Sequence, residues 1–197
     1  CREDISREQA RDMLGMEQEK KYFLLAAGSM GTKAIVHILE LLLAMRSKKE
    51  NLVVICGSNQ KLKKKLQQKY KNRKEVTLVG YTKKMPLYLK ACDVIFTKPG
   101  GLTSTEAVAA KVALVHTKPI PGCEDRNVAF FTQHGMSVSG DTEDAVIQKG
   151  LKLLRDPEAQ AEMRKCQEKY GKPYAADAVC EFICGQKEAA EAAQKKA

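Results

Sequence analysis

The chain has 197 residues, enough for one large domain or two small ones. A chain of this length buries about 70% of its unfolded surface in a core of its own. Hydrophobic residues are 44% and charged residues 29%, globular values that exclude general disorder, a collagen-like repeat, a disulfide-built miniprotein and a membrane-embedded chain. With 34 Lys and Arg against 24 Asp and Glu the formal charge is +10, which favours an anionic partner: nucleic acid, an acidic membrane surface or a phosphate-bearing ligand.

Ser6 and Gln9 have the spacing of a capping box and Gly15 suits a helix end, which predicts a lead-in helix over 6–14. Residues 22–27 (YFLLAA) form a continuous apolar run closed by Gly28-Ser29-Met30-Gly31. A periodic apolar stretch follows over about 33–45, giving strand, glycine turn, helix. The pattern then repeats, with a strand over 51–56, a turn at Gly57-Ser58-Asn59 and a helix with few apolar anchors over 60–70. A third strand is predicted over 75–79 before Gly80, a short helix over 85–91 and a fourth strand over 93–97. Lys98-Pro99-Gly100-Gly101 breaks the chain, 102–110 should be helical, and 112–116 reads as the fifth strand. A Pro/Gly loop at 117–124 precedes a helix over 127–133, and a weak sixth strand is expected near 136–138. Beyond it the chain reads as helix, over about 141–154, 157–169 and 174–184, with Asp141 and Asp156-Pro157 as helix starts. Continuous apolar strands separated by helices predict an α/β fold: a doubly wound, Rossmann-like parallel sheet of about six strands, with helices on both faces and a helical C-terminus. The domain plan is a lead-in helix at 1–19, one domain over 20–184 and a polar helical or frayed tail at 185–197.

In such a sheet the ligand lies beyond the C-terminal ends of the strands. The glycines fall there: Gly28, Gly31, Gly57, Gly80, Gly100, Gly101 and Gly122. The turn Gly28–Thr32 lacks the spacing of a dinucleotide fingerprint and of a P-loop, yet a glycine turn into a helix still presents backbone N–H groups to an anion. At 98–106, Thr103, Ser104 and Thr105 bring hydroxyls to a helix start, and Glu106 brings a carboxylate suited to a ribose diol. The same residues also read as a cap, with Thr103 and Glu106 forming a capping box. At 119–127 a rigid proline turn precedes Glu124, Asp125, Arg126 and Asn127, groups suited to sugar hydroxyls or to a capped surface helix.

No catalytic or metal-ligating set stands out. The seven cysteines include no CxxC pair, which reads as a reduced chain, and His116 and His134 read as structural. Eight basic residues between Lys61 and Lys74, with no acid among them, read as a solvated helix face or one turned to a membrane. No RNA-binding aromatic signature accompanies them, and no nucleic-acid partner is expected. The apolar runs are too short to span a bilayer, and the opening residues do not read as a signal peptide. Cys1 in place of Met reads as a processed chain or a piece of a longer one.

Four motifs in order carry a resemblance: GSMG at 28–31, CGSNQKL at 56–62, VGYTKKMPLYLKACDVIFTKPGGLTSTEA at 79–107, and PIPGCEDRN at 119–127 followed by FF at 130–131. Over roughly 20–184 the chain resembles the C-terminal, nucleotide-sugar-binding half of the inverting GT-B glycosyltransferases of family 28. It is most similar to the diacylglycerol glycosyltransferase and monogalactosyldiacylglycerol synthase group. It is more distantly similar to the enzyme that adds N-acetylglucosamine to the undecaprenyl lipid of peptidoglycan synthesis.

The resemblance implies a UDP-sugar donor (UDP-glucose or UDP-galactose), no permanently bound cofactor or metal, and a diacylglycerol-type acceptor at an anionic membrane surface on the cytoplasmic face. It implies that Gly28, Ser29, Met30, Gly31 and Thr32 lie near the diphosphate. Gly57, Ser58 and Asn59 would border the nucleotide crevice, and Gly80, Tyr81 and Met85 would hold the uracil edge. Gly100, Gly101, Leu102, Thr103 and Ser104 would meet the phosphates and Glu106 the ribose. Gly122, Cys123, Glu124 and Asp125 would approach the sugar, with Asn127 supporting that loop. The general base is implied to lie in an N-terminal acceptor-binding half of the same protein, so no catalytic residue is assigned to this chain and the isolated piece is expected to be inactive. Cys123 stands where the family has Gln, and Lys111 and Ala113 where it has Gly and Pro. A stand-alone or regulatory nucleotide-sugar-binding module is therefore the alternative reading.

Overall fold

The computed structural model describes residues 5–26 and 32–194. The elements follow in chain order: α1 (Arg7–Leu14), β1 (Lys21–Ala26), α2 (Thr32–Met45), β2 (Glu50–Ile55), α3 (Gln60–Lys69), β3 (Val76–Val79), α4 (Met85–Ala91), β4 (Val94–Thr97), α5 (Gly101–Ala110), β5 (Ala113–His116), α6 (Asp125–Gln133), α7 (Glu143–Arg155), α8 (Pro157–Tyr170) and α9 (Ala175–Gln194). The five strands form one parallel sheet in the order β3-β2-β1-β4-β5. Their last residues share a row: Ala26 pairs with Ile55 and with Thr97, Ile55 with Val79, and Thr97 with His116.

The apolar runs become strands because helices cover both faces of the sheet. Tyr22 to Ala26 of β1 and all of β4 and β5 are buried. α2 turns Ile35, Ile38, Leu39 and Leu42 to the core at the spacing of one helical face. α7 lays Gly150 on the sheet, and a Cβ there would stand 2.1 Å from Phe96 Cζ. That close approach requires glycine in the middle of a helix.

α1 is closed by the expected capping box of Ser6 and Gln9, and Gly15 ends it in the left-handed region at φ 65°. Asp93, at the entrance to β4, fixes this helix to the sheet. Its carboxylate accepts from Arg7 at 2.8 Å, from Arg11 at 3.0 Å and from the Tyr22 N–H at 2.7 Å.

Four expectations change. The segment near 136–138 contributes one parallel bridge, Val115 to Val138, rather than a sixth strand. The ladder stops there because the Met136 and Ser137 N–H groups donate to the Phe131 carbonyl and close the end of α6. Thr142, not Asp141, caps α7 by accepting from the Ala145 N–H. The capping box of Thr103 and Glu106 is absent: α5 starts one residue earlier, with Gly100 as its cap and no side chain bonded to the cap position. Lastly, α9 continues past 184 to Gln194 and leaves Val179, Phe182 and Ile183 exposed.

Candidate functional site

The row of strand ends makes the floor of the site. Strand order reverses between β1 and β4, which lie side by side, so the C-terminal ends of these two strands flank a topological switch point. The loop after β4 is Lys98-Pro99-Gly100, and it feeds directly into α5. Because Gly100 offers no side-chain cap, and the first turn of α5 holds no acid, the positive end of this helix is uncompensated. Gly101 and Leu102 are exposed, and a Cβ on Gly101 would meet nothing within 4 Å. An anion can therefore approach this backbone closely.

The loop before α6 is tied to the same place. Lys98 Nζ donates to Glu124 Oε1 at 2.6 Å, and Glu124 Oε2 accepts from the Ile120 N–H at 3.0 Å. Asn127 Nδ2 donates to the Pro99 carbonyl at 2.9 Å. Asp125 Oδ2 accepts from the Gly122 N–H at 2.6 Å, next to the left-handed backbone of Gly122 at φ 81°. These bonds tie the two loops together. Glu124, expected to approach a sugar, is buried and spent on this brace, while Cys123 beside it is exposed.

The start of α5 is held from behind by a buried histidine. His116 Nε2 lies 2.9 Å from Ser104 Oγ and Nδ1 lies 3.1 Å from Ser137 Oγ. The Ser104 hydroxyl, expected at the phosphates, is thus turned inward. Burial lowers the His116 pKa to about 4, with the Glu124 carboxylate acting weakly the other way, so the ring is neutral at physiological pH. Thr105 is also occupied, donating to the Gly101 and Leu102 carbonyls at 2.8 and 2.9 Å. Thr103 is half-buried and Glu106 is exposed. Glu106 borders an apolar cavity of about 460 Å³ shared with Pro86, Phe130 and Tyr170.

On the β2 and β3 side, Gly57 takes φ 56° and Ser58 is exposed. Asn59 caps α3, its Oδ1 accepting from the Leu62 N–H at 2.9 Å. Gly80 follows β3, and Lys63 Nζ lies beside it, 3.4 Å from where a Cβ would stand. Burial raises the Cys56 thiol above its usual range, with the Lys63 ammonium opposing. Tyr81 is exposed and Met85 packs partly on the core. Gly28, Ser29, Met30 and Gly31 lie outside the described residues; Thr32 begins α2. Among the described residues, no group of three or more His, Cys, Asp or Glu side chains is placed to hold a metal ion. Nor is any helix among them long and apolar enough to cross a membrane.

The glycines flagged these loops in advance. The Lys98–Glu124 brace and the Ser104–His116–Ser137 chain left no such mark. Their partners lie 12 to 26 positions apart, without a periodic signal.

A doubly wound parallel sheet with an uncapped helix start at its switch point defines a Rossmann-like domain, of the kind that forms one half of a GT-B fold. The chain belongs to the glycosyl transferases group 1 family, whose model matches residues 6–171. The match is to group 1, not to the family 28 that the motifs suggest. A processive diacylglycerol beta-glucosyltransferase from Staphylococcus carnosus is 32% identical over 148 residues, covering 75% of this chain. The chain spans 38% of that relative's length. Among solved structures, MurG from Acinetobacter baumannii superposes with a TM-score of 0.70 at 22% identity, over 92% of this chain and 53% of that one. Anabaena Alr3699/HepE, solved in complex with UDP-glucose, superposes with a TM-score of 0.64 at 14% identity, over 91% and 52%. This is a GT-B-type domain related to lipid glycosyltransferases and other sugar-transferring enzymes.

Proposed function

We propose that this chain is the donor-binding half of an inverting glycosyltransferase that moves a hexose from UDP-glucose or UDP-galactose to a diacylglycerol-type membrane lipid. One observation carries the reading: the open, glycine-lined start of α5 at the switch point between β1 and β4. The relative of known activity, which uses a diacylglycerol acceptor by its name, supports the choice of lipid.

The N–H groups of Gly101, Leu102 and Thr103 receive the diphosphate at the positive end of α5. Glu106 takes the ribose hydroxyls as a bidentate acceptor. The backbone of 80–85 holds the uracil edge. The loop 122–125 approaches the hexose, and its brace through Lys98 and Asn127 keeps sugar and phosphate in one frame. As the bond between the anomeric carbon and the phosphate oxygen breaks, negative charge gathers on the leaving UDP. Donors already fixed at the helix start stabilise that charge without reorganising. A base outside this chain, in the acceptor half, removes the proton from the lipid hydroxyl. Ser104 and His116 position the helix start and do not contact donor.

The full-length protein should transfer labelled glucose or galactose from the UDP-sugar to diacylglycerol in mixed micelles, and nuclear magnetic resonance should find a β-linkage in the product. An α-linked product contradicts inversion. Cys123 favours a second reading, a binding module without catalysis, because a thiol lacks the acceptor and donor pair of the glutamine it replaces. UDP binding with no transfer by the full-length protein selects that reading.

A further inference from the structure

Residues 60–84 contain nine Lys and one Arg against one acid, Glu75. This stretch therefore carries +9 of the chain's formal +10. It forms α3, β3 and the loop after them, at the edge of the sheet where β3 has a neighbour on one side, β2. α3 buries Leu62 and Leu66, four residues apart, which turns Lys61, Lys64 and Lys65 outward. The exposed Lys71 and Lys74 extend the surface toward the start of β3, and Lys83 and Lys84 extend it beyond the end of that strand. The nearby acids are committed: Glu40 to Lys69, and Glu75 to Arg73 and Arg46. Lys61, Lys64 and Lys65 form no ion pair among the described residues.

The chemistry of this face selects its partner. Nucleic-acid recognition draws on Arg forks and on several exposed aromatic rings that stack bases. This face has Lys in nine of its ten cationic positions, and Tyr70 is buried, which leaves Tyr81 as its exposed ring. Flexible point charges without a fixed fork suit a diffuse layer of negative charge. We propose that the lysine face of α3, with its extensions on either side of β3, docks the protein on an anionic bilayer. The inference rests on the lipid-acceptor reading above and adds the surface that meets the membrane. α3 begins at the Gly57–Asn59 turn and Lys63 reaches Gly80, so a bilayer on this face lies beside the mouth of the donor crevice.

The test is sedimentation of the protein with phosphatidylcholine vesicles, with and without phosphatidylglycerol, at low and at physiological salt. The comparison is the triple variant Lys61→Gln, Lys64→Gln, Lys65→Gln. All three sites are exposed, and Gln matches Lys in helix propensity, so circular dichroism should be unchanged. Each lysine near an anionic surface strengthens binding about fivefold, so the variant should bind the anionic vesicles about a hundredfold more weakly. Binding of the unaltered protein should fall with salt. Equal binding by variant and unaltered protein, or indifference to phosphatidylglycerol, overturns the docking face. Preference for a single-stranded oligonucleotide over anionic vesicles in competition overturns it as well. UDP affinity, measured by calorimetry on both proteins, should be equal. Absence of UDP binding overturns the donor reading separately, whatever the vesicles show.

Discussion

His116 shows how one buried side chain can hold the start of a helix in place from behind. It ends β5, and it links Ser104 of the α5 start to Ser137 through its two ring nitrogens. Its folded pKa of about 4 lies below the ordinary value of 6.5, so the unfolded chain binds the extra proton first as pH falls. The stability this confers is complete above about pH 6.5 and is lost as pH drops toward 4, by roughly 3 kcal/mol at most. Thermal unfolding should therefore show a falling Tm between pH 6.5 and 4.5 that His116→Gln flattens. An unchanged slope in the variant would assign the acid sensitivity to other groups. In the proposed reading Glu106 is the ligand-facing counterpart. Hydrogen bonds to a carboxylate are worth about 1.5–3 kcal/mol, so Glu106→Ala should weaken UDP binding about ten- to hundredfold with Tm unchanged. Equal affinity for UDP and 2′-deoxy-UDP would remove Glu106 from the ribose.

At the scale of elements, two contacts hold α7 and α1 to the sheet. Gly150 lets α7 lie directly on Phe96, so Gly150→Ala should destabilise by about 1–3 kcal/mol despite alanine's higher helix propensity. A denaturant midpoint equal to or above that of the unaltered protein would mean that Phe96 can step aside. Asp93 gathers two guanidinium groups and a strand N–H, so Asp93→Ala should cost about 3–5 kcal/mol by leaving Arg11 buried and unpaired. Hydrogen exchange should then rise first in α1; protection equal to that of the unaltered chain would deny Asp93 this role.

These elements also show what a sequence reader can reach. β1, β2 and β4 were legible because both faces are covered, so each shows a run of apolar residues; the edge strand β3, with Thr77 exposed, was marked instead by its β-branched residues and the Gly80 that follows. Ser6 with Gln9, and Asp156 with Pro157, act within one helical turn, and local chemistry of that range is readable. The α5 cap is not legible in the sequence, because Thr103 and Glu106 have capping spacing while the helix starts earlier, at Gly101. Segment 136–138 is apolar enough for a strand, but closing α6 claims its N–H groups. Contacts such as Lys98 with Glu124 join two loops through the fold, and no one-dimensional pattern encodes them.

At the scale of the molecule, charge and fold divide the work. Outside 60–84 the chain is nearly neutral, and Lys98 beside the α5 start is paired with Glu124, so in the proposed reading the phosphates are met by the helix end and backbone donors. The cations collect instead on the edge beside the donor crevice. The sheet puts the ends of β1 and β4 side by side at the switch point, and the brace through Lys98, Glu124 and Asn127 joins the loop before α6 to the loop after β4. In the proposed reading UDP is held by backbone groups along 80–85 as well as through its phosphates, so the site should discriminate between bases. Isothermal titration of the protein with UDP, and with ADP as control, tests this most directly. The account predicts saturable UDP binding with little or none for ADP. A folded protein that binds neither, or both equally, would contradict it.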